Sequence, residues 1–141
     1  MKRLSLVALG LLISGAVSAV AVPAASDAER RATDASLIWL GLIDNGQYAE
    51  SWKNASDYFR RAITEKGWDV LLRVERDPLG KVLSRDIQAT KEATSLPGAP
   101  DGHYVVIELQ TSFSAKASAI ETVTFMEERD GTWRAAGYFI R

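Results

Sequence analysis

The stretch Ala119–Ile140, "AIETVTFMEERDGTWRAAGYFI", decides how this chain is read. Ala119, Glu121, Val123 and Phe125 share one row of an alternating run, the period of a strand with a single buried face. Asp130-Gly131 then gives the signal for a two-residue hairpin turn, and the aromatic segment "WRAAGYFI" returns as the next strand. Upstream, Val105, Ile107, Leu109 and Phe113 alternate in the same way. Leu83, Ile87, Ala89 and Ala93 do so in the extended run Val82–Ser95. Four consecutive strand patterns predict an antiparallel meander. Between the first two lies "SLPGAPDGHY", Ser95–Tyr104, in which Pro97 and Pro100 stiffen the chain while Gly98 and Gly102 admit unusual dihedrals. It reads as a connector.

Before Gly80 the period becomes helical. Ser26 or Asp27 caps a helix running to about Asp44, with Glu29 favourable at its positive end and Leu37, Leu40 and Ile43 along one face. Asn45-Gly46 stops it. A second helix starts near Gln47 and carries Tyr48, Trp52, Ala55 and Phe59, with a break expected around Asn54–Asp57 where polar side chains compete for the backbone. Thr64 caps a third, bearing Trp68, Leu71, Leu72 and Glu75, and "DPLG" ends it. The reading is an α+β fold: three N-terminal helices packed on one face of a curved four-stranded antiparallel meander. No internal repeat or second domain is visible, so residues 28–141 are read as one domain behind a leader at 20–27.

The first residues stand apart. Lys2 and Arg3 precede the apolar run Leu4–Val17, and "AVSA" follows at Ala16–Ala19. That is the pattern of a signal peptide over residues 1–19, cleaved after Ala19; a retained anchor is the alternative, though the run is short for a span of about 20 apolar residues. With no cysteine in the chain, a lipid-anchored form is excluded, and the expectation is a periplasmic or secreted protein with no stable membrane anchor after cleavage. Without Lys2 and Arg3 the chain carries 15 basic and 18 acidic residues. That balance gives no basic face for nucleic acid.

Two charges lie on rows that should be apolar: Arg85 beside Leu83 and Ile87, and Glu121 beside Val123 and Phe125. A charge facing a core needs a partner or water. If Ser95 faces His103, Arg85 lies opposite Phe113 and Ile87 opposite Thr111. If Phe113 faces Ala119, Thr111 lies opposite Glu121. The Asp130-Gly131 turn sets Arg129 against Thr132, hence Glu121 against Ile140 and Val123 against Tyr138. Arg85, Thr111, Glu121 and Tyr138 then share one face near the 114–118 turn, where Lys116 extends the group. Either Arg85 and Glu121 form a structural ion pair bridged by Thr111, or these residues line a pocket for a small polar ligand.

Other chemistry is sparse. His103 is the one imidazole and sits where the connector enters its strand, a place more suited to a surface residue than to a general base. One histidine and no cysteine exclude a Cys/His zinc site, and no calcium loop, phosphate loop or nucleophile elbow occurs. No metal or cofactor is implied. Trp39, Trp52 and Trp68 lie at helical spacing and are expected to pack, Trp133 is read as able to bury its ring beside a strand, and an aromatic ligand platform is the alternative.

The segments "WDVLLRVERDPLGKVLSR" (Trp68–Arg85), "TSLPGAPDGHYVV" (Thr94–Val106), "TSFSAKASAIETVT" (Thr111–Thr124) and "DGTWRAAGYFIR" (Asp130–Arg141) together resemble the family known as domain of unknown function 4019, small bacterial proteins. The resemblance covers nearly all of the chain after the leader. It implies a helical half followed by a strongly bent sheet, similar to cystatin-like or nuclear-transport-factor-like cones, and it implies no activity. Enzymes on such cones place an Asp or His base in the pocket, and no inward histidine is expected here. The resulting expectation is a non-enzymatic module that binds a small molecule or peptide, or pairs with itself through a second sheet face carrying Val106, Met126, Trp133 and Phe139. The alternative is a small pocket enzyme with Glu121 as general acid/base and Arg85 and Tyr138 orienting substrate.

Overall fold

A computed structural model describes residues 18–141. The signal-peptide reading lies, apart from Ser18 and Ala19, outside the described residues. Ser26 caps α1 (Asp27–Asp44) by a full capping box: its hydroxyl accepts the Glu29 amide, and the Glu29 carboxylate accepts the Ser26 amide. Gly46, at φ 74°, follows the helix end, a backbone state that glycine adopts freely. The expected second helix is two short ones, α2 (Tyr48–Lys53) and α3 (Asp57–Ala62). The break falls where Ser56 turns its hydroxyl back to cap α3 at the Phe59 amide, and the Ser56 amide donates to the carbonyl of Ala135 in the sheet. Four helices thus stand where three were expected. α4 (Glu65–Glu75) is capped by Thr64, and a short 3-10 turn over Asp77–Leu79 ends at Gly80.

The strands β1 (Val82–Ala93), β2 (Tyr104–Phe113), β3 (Lys116–Glu127) and β4 (Trp133–Ile140) pair in chain order, each antiparallel to the next. α1 touches all four. Its buried stripe of Ala32, Trp39, Leu40 and Ile43 meets Val105, Ile107, Leu109, Val123 and Phe125. Leu37 and Leu71, expected in the core, are two-fifths exposed on the margins of their stripes. The tryptophans of the helices pack as core: Trp39 stacks on Trp68 at 5.9 Å, and their indole N–H groups donate to the carbonyl and hydroxyl of buried Ser51. Trp52 donates to the Ile63 carbonyl.

Three corrections concern register. β1 pairs with β2 as Arg85↔Thr111 and Ile87↔Leu109, two residues from the expected match. Likewise Thr111 faces Ala119 and Glu121 faces Leu109. A shift of two leaves each side chain on its face, because strand side chains alternate with period two. β1 also bulges at Leu83 and Gln88, so its expected apolar row is broken, and Leu83 and Ile87 are largely exposed on this edge strand. Finally, the β3–β4 turn holds three residues, not two. Glu128 pairs with Thr132 across Arg129, Asp130 and Gly131, the last at φ 81°. A bulge at Ala136 cancels the extra residue, so Glu121↔Ile140 and Val123↔Tyr138 pair as expected. The same bulge turns Trp133 and Ala135 inward. Trp133 is therefore core, and Val106, Met126 and Phe139 are left on the outer face without it.

Candidate functional site

Glu121 sits in the middle of β3 with no exposed surface, and its carboxylate is surrounded on every side. Oε1 accepts from Arg85 Nε at 2.7 Å and from Thr111 Oγ1 at 2.6 Å. Oε2 accepts from the Tyr138 hydroxyl at 2.5 Å and lies 3.9 Å from Arg76 Nη1. Each strand contributes one residue: Arg85 from β1, Thr111 from β2, Glu121 from β3 and Tyr138 from β4. Two more come from helix ends.

Asp44, the last residue of α1, accepts both terminal nitrogens of Arg85, at 2.7 and 3.0 Å, and Arg76 Nη2 at 2.7 Å. The Arg85–Asp44 contact is the bidentate fork that guanidinium and carboxylate form best. Arg76, which follows α4, also donates to the Tyr138 hydroxyl at 3.3 Å. Its guanidinium lies over the Phe113 ring at 4.9 Å, and its Nε has no hydrogen-bond partner. Two guanidiniums and two carboxylates make the cluster neutral.

The electrostatics follow from these contacts. Burial alone would push the Asp44 carboxyl up, but Arg85 and Arg76 outweigh it and hold the group below the usual carboxylate range. Burial also opposes the charge on Arg85, and the bonds to Asp44 and Glu121 reverse that and strengthen it. Burial and then the Glu121 charge push the Tyr138 phenol far up, so it remains a neutral donor.

Of the expected site residues, Arg85, Thr111, Glu121 and Tyr138 come together. Lys116 does not: it is exposed opposite Phe113 and makes no ion pair among the described residues. Asp44 and Arg76 were missed. Asp44 did carry a signal, because an acid in the last turn faces the negative end of the helix dipole and needs cations nearby. Arg76 carried none, since a base near a helix end is ordinary.

The cluster reaches the surface at Asp44. Among the described cavities, one of about 180 Å³ between α4 and β4 touches it, through Tyr138 only, and is otherwise lined by groups such as Trp68, Leu71, Leu72 and Phe139. A groove of about 910 Å³ lies at the opposite end of the sheet, between α3, the 94–103 connector and the β3–β4 turn.

That same end holds a second, exposed cluster. His103, entering β2, contacts Glu127 through Nδ1 at 2.9 Å and Glu92 through Nε2 at 2.8 Å. Glu92 also accepts the hydroxyl of Ser26, the cap of α1. The Glu92 and Glu127 contacts push the imidazole pKa up. α1 is thus tied at both ends, to this cluster by Ser26 and to the buried one by Asp44.

A four-stranded meander roofed by helices and locked by a neutral buried cluster defines a small α+β domain of the helix-on-sheet class. A family model for a protein of unknown function (DUF4019) matches residues 35–138, and the chain belongs to that family. No curated protein matches it.

Proposed function

We propose that this chain is an exported, non-catalytic binding domain whose buried charged cluster holds the fold in register. The observation that carries this reading is the enclosure of Glu121. A general base must reach the proton it takes, and the acceptor positions of this carboxylate are occupied by Arg85, Thr111 and Tyr138 with no exposed surface. A pocket enzyme built on Glu121 would have to break those bonds first. Export rests on the basic start, the apolar run and the Ala-x-Ala ending at Ala19. The partner is a small molecule or peptide; pairing of two copies through Val106, Met126 and Phe139 is the competing use of the outer sheet face.

The test is carboxylate footprinting of the folded protein with a water-soluble carbodiimide and an amine, read by mass spectrometry. Exposed acids such as Asp101 label, and Glu121 labels only after unfolding. Labelling of Glu121 in the folded protein would favour the enzyme. Intact mass of the protein from an envelope fraction tests export, with Val20 expected as the first residue.

A further inference from the structure

We propose that the groove between α3, the 94–103 connector and the β3–β4 turn binds a small ligand carrying two or more carboxylate or phosphate groups. This rests on the reading of the chain as a binding domain. At about 910 Å³ the groove has the volume of a small-molecule site. Its floor is the outer sheet face at Met126 and Arg134, which pair with each other across β3 and β4. The wall is braced, because the Tyr58 hydroxyl on α3 donates to the Gly98 carbonyl of the connector at 3.0 Å.

Both signs of charge line the groove, and they are not equally engaged. Asp57 is held by Arg60, and Glu127 by His103. Glu128 accepts the Asp57 amide at 3.3 Å, and Asp130 accepts the Thr132 amide at 2.9 Å. Two of the five acids thus face a side-chain cation, Glu128 and Asp130 accept backbone amides and keep their charge, and Asp101 has no donor among the described residues. The cations differ. Lys53 pairs with Glu50 and Arg60 with Asp57. Arg61 and Arg129 make no ion pair among the described residues, and Arg134 donates to the Asn54 carbonyl at 3.4 Å and lies near enough to Asp130 to help lower that carboxyl. Arg61 on α3 and Arg129 on the turn keep paired N–H donors free, and Arg134 on the sheet floor keeps those its Asn54 contact does not use. That is the geometry that recognises planar carboxylate and tetrahedral phosphate oxygens. A ligand with one oxyanion engages one wall; a ligand with two bridges them.

Citrate and pyrophosphate serve as probes, titrated at low ionic strength into the isotope-labelled protein and followed by amide chemical shifts. Saturable shifts are expected at 57–61, 100–102 and 126–134 with at least one probe. Which probe binds more tightly distinguishes a carboxylate ligand from a phosphate one. Arg129→Ala and Arg134→Ala each weaken binding about tenfold, the loss of one charge-assisted contact, with melting unchanged for the exposed Arg129 variant. Asp101→Asn tightens it. The proposal is overturned if neither probe produces saturable shifts there, if sodium chloride at equal ionic strength reproduces them, or if the arginine variants bind like the parent. Those outcomes leave the footprinting of Glu121 untouched, so the two readings fail separately.

Discussion

The two polar clusters at the ends of α1 both set carboxylates against cations and hydroxyls. They differ in exposure and in the cation, guanidinium at one end and imidazole at the other. At the Asp44 end, Glu121 has no exposed surface, the Arg85 and Arg76 side chains are a tenth exposed or less, and Asp44 itself, at 22%, forms the rim. At the Ser26 end, the His103 and Glu92 side chains are each 39% exposed. Ion pairs in water contribute little because solvent screens them and the side chains lose freedom. Buried charges behave differently: the pair as a whole gives little net stability, yet removing one member leaves the other charge stranded. The buried cluster thus specifies how six elements meet, while the exposed one trims the helix start.

The largest effect separating them is therefore expected from Glu121→Ala. It leaves Asp44 as the one carboxylate to balance Arg85 and Arg76 and takes the acceptor from the Thr111 and Tyr138 hydroxyls, and the loss expected is about 3–5 kcal/mol, measured by urea unfolding. A loss below about 1 kcal/mol would place the two clusters on the same footing. Ser26→Ala comes next. It removes the α1 cap and the contact to Glu92, with a loss of about 1 kcal/mol, and helix fraying is visible as faster amide exchange at Glu29.

The pH responses sharpen the comparison, because their signs are opposite. The folded His103 pKa is raised above its ordinary value of 6.5. Its contribution is therefore complete below that value and is lost as pH rises through the folded pKa. The gap in melting temperature between the parent and His103→Gln should close on the alkaline side. Asp44 is depressed below its ordinary 3.8. Its contribution is present above that value and is lost as pH falls through the folded pKa, so Asp44→Asn should flatten the acid limb and leave the alkaline one intact.

Much of this contrast was legible in the residues. Arg85 and Glu121 stood out because a charge on an apolar row must be paired, and they met although the assumed β1–β2 and β2–β3 registers were wrong by two. An even error keeps every side chain on its face; an odd one would have separated them. The bulges at Leu83 and Gln88 were not legible, since neither has a glycine or proline to mark it; the one at Ala136 had Gly137 beside it, a signal that went unread. That is why Trp133 was grouped with the outer-face residues, while the other reading of its ring, buried beside a strand, is the one that holds. The split between α2 and α3 was signalled by Asn54 and Ser56, whose side chains compete with the helical backbone. Arg76 and the arginines of the groove were out of reach, because their positions depend on how helix ends and loops fold back on the sheet.

A double-mutant cycle of Arg85→Ala and Glu121→Ala, read by urea unfolding, tests the central claim most directly. A clamp of mutually dependent buried charges predicts that the two losses do not add: the double variant should be less destabilised than their sum by about 1–3 kcal/mol. Losses that add to within about 0.5 kcal/mol would contradict it, and would mean that Arg85 and Glu121 serve the fold independently.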